Sequence, residues 1–286
     1  MSRLGRRLDR LREQAGGRGG AEGAEPSGSS VRDRLSRRQT RSRRAGGAAQ
    51  RPDDAAIAER LGGEVAAAGL VEVVEETPLA ASYGGQALEP LGGPLRLVPR
   101  EELLDPQRAL LLDTETSGLA GGTGTVAFLV GVGAVTGGCL RVRQWLLTGF
   151  AGEPALLERL AGVVGEAEAI VTYNGKAFDV PLLATRGRLA GVDAGLEACR
   201  HLDLLHAVRR GFRRQWPDCR LATAERRLLG RERLEDLPGS EAPAAWLDFL
   251  QRGDARALPG VLRHNGDDIR ALGALWAALD ATFRQG

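Results

Sequence analysis

ALLLDTETSGLAGGTGTVAFLVGVGAV, residues 109–135, is the stretch whose reading decides the fold. The run 109–112 is uninterrupted apolar sequence, which reads as a strand buried on both faces. It ends in Asp113-Thr114-Glu115. Side chains at i and i+2 of a strand share a face, so both carboxylates emerge together at the strand tip, where hard cations can be shared. The competing reading is a cap on the turn into SGLAGGTGT, 117–125. A solvated turn, however, does not require two acids to leave a buried run. The glycines lack the GK[ST] ending of a P-loop and lead into a strand rather than a helix, which excludes triphosphate cradling.

Outward from there, 125–135 and 140–148 read as two further strands split by the turn Thr136-Gly137-Gly138, so three strands form an antiparallel meander. Leu156, Leu157, Leu160, Val163 and Val164 recur at helical spacing, and AIVTY (169–173) returns to strand. Helices are expected at 181–190, 203–212, 221–229, 243–251 and about 256–283. Strands first, then helices closing the sheet, is the order of a mixed α/β sheet flanked by helices. A domain is therefore expected over 109–284. An accessory lead-in covers 53–108, with an Ala-rich helix at 55–69 and VEVVEE (71–76) as an exposed strand.

The first 52 residues differ in kind. They carry 14 Arg against 5 Asp or Glu, a net of +9, which leaves −7 for the rest of a chain whose total is +2. Gly, Ala, Ser and Arg without an apolar period cannot bury enough surface to order themselves, so 1–52 reads as a disordered basic arm. Leu4, Leu8 and Leu11 give it one amphipathic turn, and a mitochondrial transit peptide is the rival reading. There is no secretory leader pattern and no apolar run long enough for a bilayer, which points to the cytoplasm and away from membranes. Cys139, Cys199 and Cys219 lack CxxC spacing and read as ordinary thiols. Arginine supplies 38 of the 39 basic residues, which looks like a codon bias and makes Arg content poor evidence of nucleic-acid binding.

Two more motifs carry chemistry. In YNGKAFD (173–179), Asn174-Gly175 ends a strand and Pro181 suits a first helical turn, so Asp179 sits at a helix start beside the same sheet edge. Lys176, the one lysine, is a compact ammonium able to meet a phosphate. Phe178 reads first as a core side chain and second as a platform for base stacking. In HNGDD (264–268), His264 and Asp268 stand one helical turn apart, a proton acceptor beside a metal ligand. Asp267 is the fallback ligand should Asp268 face away. Asp203, before LLHAVRR, reads as a helix N-cap rather than a further ligand. A haloacid-dehalogenase-type phosphatase is disfavoured, because Glu115 stands where that chemistry needs an Asp.

Together these motifs resemble the DEDD 3′→5′ exonuclease superfamily: Asp-x-Glu on the first strand, Asn-x-x-x-Phe-Asp after the fourth, and an Asp on the last helix preceded by His or Tyr. The match is closer to the YprB-like ribonuclease H-like family. It runs through DTETSGLAGGTGTVAFLVG (113–131), YNGKAFDVPLL (173–183), HLDLLHAVRR (201–210), DCRLATAERRLLG (218–230), DLPGSEAP (236–243) and HNGDDIRALGAL (264–275), and covers about 109–280. The resemblance implies a ribonuclease H-like fold and two divalent ions, Mg²⁺ or Mn²⁺. Asp113, Glu115, Asp179 and Asp268 would be the ligands, and His264 would activate water. It also implies a nucleic-acid 3′ end as substrate, DNA favoured over RNA, with a helicase partner and a place in DNA repair. Thr116, Gly124, Asn174, Lys176 and Phe178 are the candidates for holding that substrate. Many His-type members space His and Asp by five residues; here the gap is four. The alternative is a noncatalytic binding module of the same fold.

Overall fold

The computed structural model describes residues 52–96, 102–118, 124–233 and 236–285, so nearly all of the basic arm lies outside the described residues. The chain enters through α1 (Asp54–Leu61), β1 (Glu64–Ala67), β2 (Leu70–Pro78) and two small hairpins, β3 (Ser82–Tyr83) with β4 (Gln86–Ala87) and β5 (Leu95–Arg96) with β6 (Leu103–Leu104). The meander follows as β7 (Ala109–Thr116), β8 (Ala127–Thr136) and β9 (Cys139–Leu147). Next come α2 (Glu153–Glu166), β10 (Ala169–Thr172), α3 (Asp179–Ala190), β11 (Arg200–Asp203) and α4 (Leu204–Phe212). The last elements are α5 (Leu221–Ala224), continued as a π turn over Glu225–Leu229, then α6 (Ala242–Arg252) and α7 (Leu258–Gln285).

One seven-stranded sheet, ordered β1-β2-β9-β8-β7-β10-β11, organises these elements. It is antiparallel from β1 to β7, and parallel where β10 pairs with β7 and β11. This is the expected mixed α/β arrangement, with β7 at the change of direction. The strand VEVVEE is exposed over Val74–Glu76 but is no free edge: β2 pairs with β9 along its length, and Leu70–Val73 are buried. The helix expected at 55–69 stops at Gly62, whose φ of 69° caps α1 and frees the chain to turn into β1. Strand β11 has no signal in the sequence, because RHLD lacks apolar alternation; it forms as a short parallel edge on β10.

Strand alternation distributes the core. Leu110 and Leu112 face α2, α3 and α6, while Ala109 and Leu111 face α4 and α7. Helix α7 serves both sides: Val261 and Leu262 pack in the first cluster, Ile269, Leu272 and Trp276 in the second. Its crossing point lies against the tip of β7. Two glycines permit that close approach. Gly131 and Gly133 pair across the ladder with Asp113 and Leu111, and a Cβ on them would stand 2.2 Å from Asn265 Oδ1 and 2.5 Å from Ile269 Cγ2. Gly131→Ala is expected to push α7 outward and destabilise the fold by about 1–3 kcal/mol in urea denaturation. Wild-type stability in that variant would mean the helix is not seated on the strand.

Candidate active site

The carboxylates come from three elements that alternation and helix phase bring to one place. Asp113 and Glu115 lie on the same face of β7, and Asp179 opens α3. Thr114, on the opposite face of β7, donates its hydroxyl to Asp179, which joins the strand to the helix start. From α7, Asn265 donates Nδ2–H to Asp113 Oδ2 at 2.8 Å. Buried Gln144 holds that amide in turn, giving Nε2–H to Asn265 Oδ1 at 2.9 Å and to Leu262 O at 2.8 Å. Asp268 faces inward on the same helix. Its neighbour Asp267 points away, paired with Arg231 at 2.9 Å and Arg270 at 3.3 Å, so helix phase turns Asp268 rather than Asp267 toward His264.

His264 sits between two kinds of carboxylate. Its Nδ1 is 2.7 Å from Asp236 Oδ2, while its Nε2 is 3.7 Å from both Glu115 Oε1 and Asp268 Oδ2. With Asp236 accepting from Nδ1–H, Nε2 is left as the acceptor facing the cluster. Gly239 closes over that ring, since a Cβ there would lie 3.0 Å from Nε2. Arg233 is the cation at the rim. Its guanidinium meets Asp268 Oδ1 at 2.6 Å, Glu225 Oε1 at 2.9 Å and Asp236 Oδ2 at 3.2 Å. Glu225 also accepts from the Tyr83 hydroxyl at 3.0 Å, so the β3–β4 hairpin reaches the edge of the site.

Burial dominates the electrostatics. It holds Asp113 well above the usual carboxylate range, with the charges of Asp268, Asp179 and Glu115 adding to the shift. Burial, then Asp268, Asp179 and Asp236, pushes Glu115 up to about 8. Burial raises Asp179 to about 6 against the hydrogen bond from Thr114, and it raises Asp268 despite Arg233. A carboxyl whose folded pKa exceeds its unfolded one favours folding fully below the unfolded value, and loses that contribution as pH climbs through the folded value. In EDTA, the protein is expected to lose on the order of a few kcal/mol between pH 5 and pH 9. Glu115→Gln should flatten that fall; parallel urea-derived curves for variant and wild type would contradict it.

The donor set suits hard divalent cations. Four carboxyls crowd together, and among the described residues Arg233 is the one Arg or Lys paired with any of them. Among those residues, no three Asp, Glu, His or Cys side chains converge closely enough to hold one ion between them.

The substrate-side candidates lie at the end of β7, just before β8 and on the turn into α3. Thr116 donates to Gly118 O at 3.2 Å where β7 ends, and Gly124 lies partly buried just before β8. Asn174 adopts φ 69°, and its N–H and that of Lys176 are bound by the Asp203 carboxylate at 2.7 and 3.1 Å. Asp203 also caps α4, as expected, through Leu205 N–H at 3.1 Å. The Lys176 side chain is exposed. Phe178 is no core residue: it is 59% exposed at the start of α3, which leaves its ring open for stacking. Asn265, Asp236, Arg233, Glu225 and Tyr83 join the site without a local sequence signal that assigns them to it. DLPGSEAP (236–243) stands out as a motif, yet nothing in its spacing gives Asp236 a role.

A family model described as RNase H superfamily matches residues 110–279. The chain belongs to the ribonuclease H superfamily. Within the superfamily it is similar to the uncharacterized protein YprB of Bacillus subtilis (strain 168), 39% identical over 165 residues, which cover 57% of this chain and 40% of that protein. The chain therefore spans about two fifths of the length of that curated relative. Among solved structures it is similar to the family B DNA polymerase from the hyperthermophilic archaeon Pyrobaculum calidifontis, at 16% identity and a TM-score of 0.46, covering 73% of this chain and 28% of that one. The zinc-bound E. coli ExoI–ssDNA complex is a second likeness, at 14% identity and a TM-score of 0.36, covering 57% of this chain and 40% of that one. The described residues include no helix long and apolar enough to cross a membrane.

Proposed function

We propose that the chain is a nuclease of the DEDD type, a metal-dependent 3′→5′ exonuclease acting on a nucleic-acid end, with DNA favoured over RNA. One observation carries this reading: four carboxyls from β7, α3 and α7, Glu115 buried and the three Asp partly so, crowd beside a His–Asp pair whose free nitrogen faces them. Gathering such charge is costly unless cations neutralise it. Asp113, Glu115, Asp179 and Asp268 would hold Mg²⁺ or Mn²⁺, which supplies charge stabilisation for in-line displacement at phosphorus. His264 takes the proton of the attacking water at Nε2, and Asp236 keeps the ring in the right tautomer and orientation. Phe178 offers its exposed ring to the terminal base. Lys176, on the same turn, stands ready for a backbone phosphate. A place in DNA repair and a helicase partner accompany the proposal through the family resemblance, and a cytoplasmic setting is proposed with them from the sequence reading.

The Arg233–Asp268 pair favours a second reading, a binding module without catalysis, because a guanidinium already neutralises one ligand. Digestion of 3′- and 5′-labelled single- and double-stranded DNA and RNA in Mn²⁺ separates the two. Stepwise shortening from the 3′ end is expected. Intact substrate under every condition would leave only the binding module.

A further inference from the structure

Beside the carboxylates lies a cavity of about 520 Å³ that opens onto His264 and Asp268 and is walled by Arg220, Arg226, Arg231 and Arg233. All four arginines come from one stretch: the residue before α5, its π turn and the irregular exit that follows. We propose that this cavity is a phosphate subsite of the nuclease site, with Arg231 as its anchor, taking a backbone phosphate of the nucleic acid adjacent to the one being cleaved. The inference rests on the nuclease reading for its substrate.

The four lining acids, Glu225, Glu232, Asp236 and Asp268, offset the formal charge of the four arginines, so what the cavity offers an anion is arginine donors held in fixed positions. Glu225, 2% exposed, and Asp236 both bind Arg233, and Glu232 lies 3.6 Å from Arg226. Arg233 is thereby fixed as the wall between cavity and carboxylates. Arg231 is fixed differently. Its guanidinium carbon stacks 4.0 Å from the centre of the Tyr83 ring, and Nη2 is tethered to Asp267. Among the described residues its Nε and Nη1 have no acceptor, and Arg231 lines the cavity, so fixed donors are available there. Such donors match the oxygens of a phosphate. Arg220 and Arg226 are exposed and add charge at the mouth.

Tyr83 gives the arrangement its second support. It comes from the β3–β4 hairpin, outside the residues that match the family model, yet its hydroxyl bonds both Glu225 and the Asp267 carbonyl, each at 3.0 Å. A hairpin from the lead-in segment thus braces both fixed arginines. Such bracing lowers the ordering cost of binding a charged ligand.

The test uses the full chain in EDTA, so that nothing is hydrolysed, and fluorescence anisotropy with a labelled single-stranded oligonucleotide across a salt series. Arg231→Gln and the double variant Arg220→Gln/Arg226→Gln are each expected to weaken binding by about fivefold or more. The slope of log K against log salt should shrink by about 0.7 for each phosphate that is no longer neutralised. Arg252→Gln, an exposed arginine at the end of α6, should stay within twofold of wild type. Should Arg231→Gln fail to fold, the double variant at exposed positions carries the same two outcomes. Variants that match Arg252→Gln in affinity and slope overturn the subsite. Substrate left intact by the wild type in Mn²⁺ would instead overturn the nuclease reading, an independent result.

Discussion

Asp113→Asn is expected to reduce Mn²⁺-dependent hydrolysis by about three orders of magnitude or more while leaving the fold intact. Asp113 is the carboxylate most enclosed by others, with Asp268, Asp179 and Glu115 all raising it and Asn265 its one neutral donor. The asparagine keeps the shape and can still accept from Asn265 Nδ2 through its side-chain oxygen. Only the charge is removed. Because that charge is buried against like charges, the metal-free variant should melt above the metal-free wild type. A dead enzyme that is more stable than its parent separates loss of function from loss of fold. Activity within tenfold of wild type would remove Asp113 from the machinery.

His264→Ala should lower the single-turnover rate by about 10²–10⁴-fold, the span typical of a missing general base. Substrate affinity should change far less than the rate, since Nε2 faces the carboxylates at 3.7 Å. Asp236→Asn should cost less, about 10–100-fold, because the ring remains but its tautomer and orientation are no longer held. The four-residue gap between His264 and Asp268 places both on one face of α7, and the helix achieves this without distortion. Equal rates in His264→Ala and wild type would assign the proton to another group.

Much of this site is legible in local pattern because its chemistry sits at the ends of regular elements. Asp113 and Glu115 follow from alternation along β7, Asp179 from the turn and proline that start α3, and Asp203 from its place before an amphipathic helix. The choice of Asp268 over Asp267 needs the seat of α7 on β7 and β8, which Gly131 and Gly133 permit; in sequence those glycines only dilute an apolar run. What stays hidden is held by long-range partners. Asn265 meets Asp113 across 152 residues, Tyr83 meets Glu225 across 142, and His264 meets Asp236 across 28. No local period encodes such pairs. Phe178 misleads because an aromatic beside a helix start usually packs inward, whereas here the turn at Asn174, pinned by Asp203, leaves it outside.

The carboxylates exist, on this account, to hold divalent cations. Titration calorimetry of the full chain with Mn²⁺ at pH 8 tests that most directly. Binding that saturates, releases protons from the raised carboxyls and is abolished or sharply weakened in Asp113→Asn is the predicted result. No heat beyond dilution in the wild type, or an identical isotherm in the variant, would contradict it.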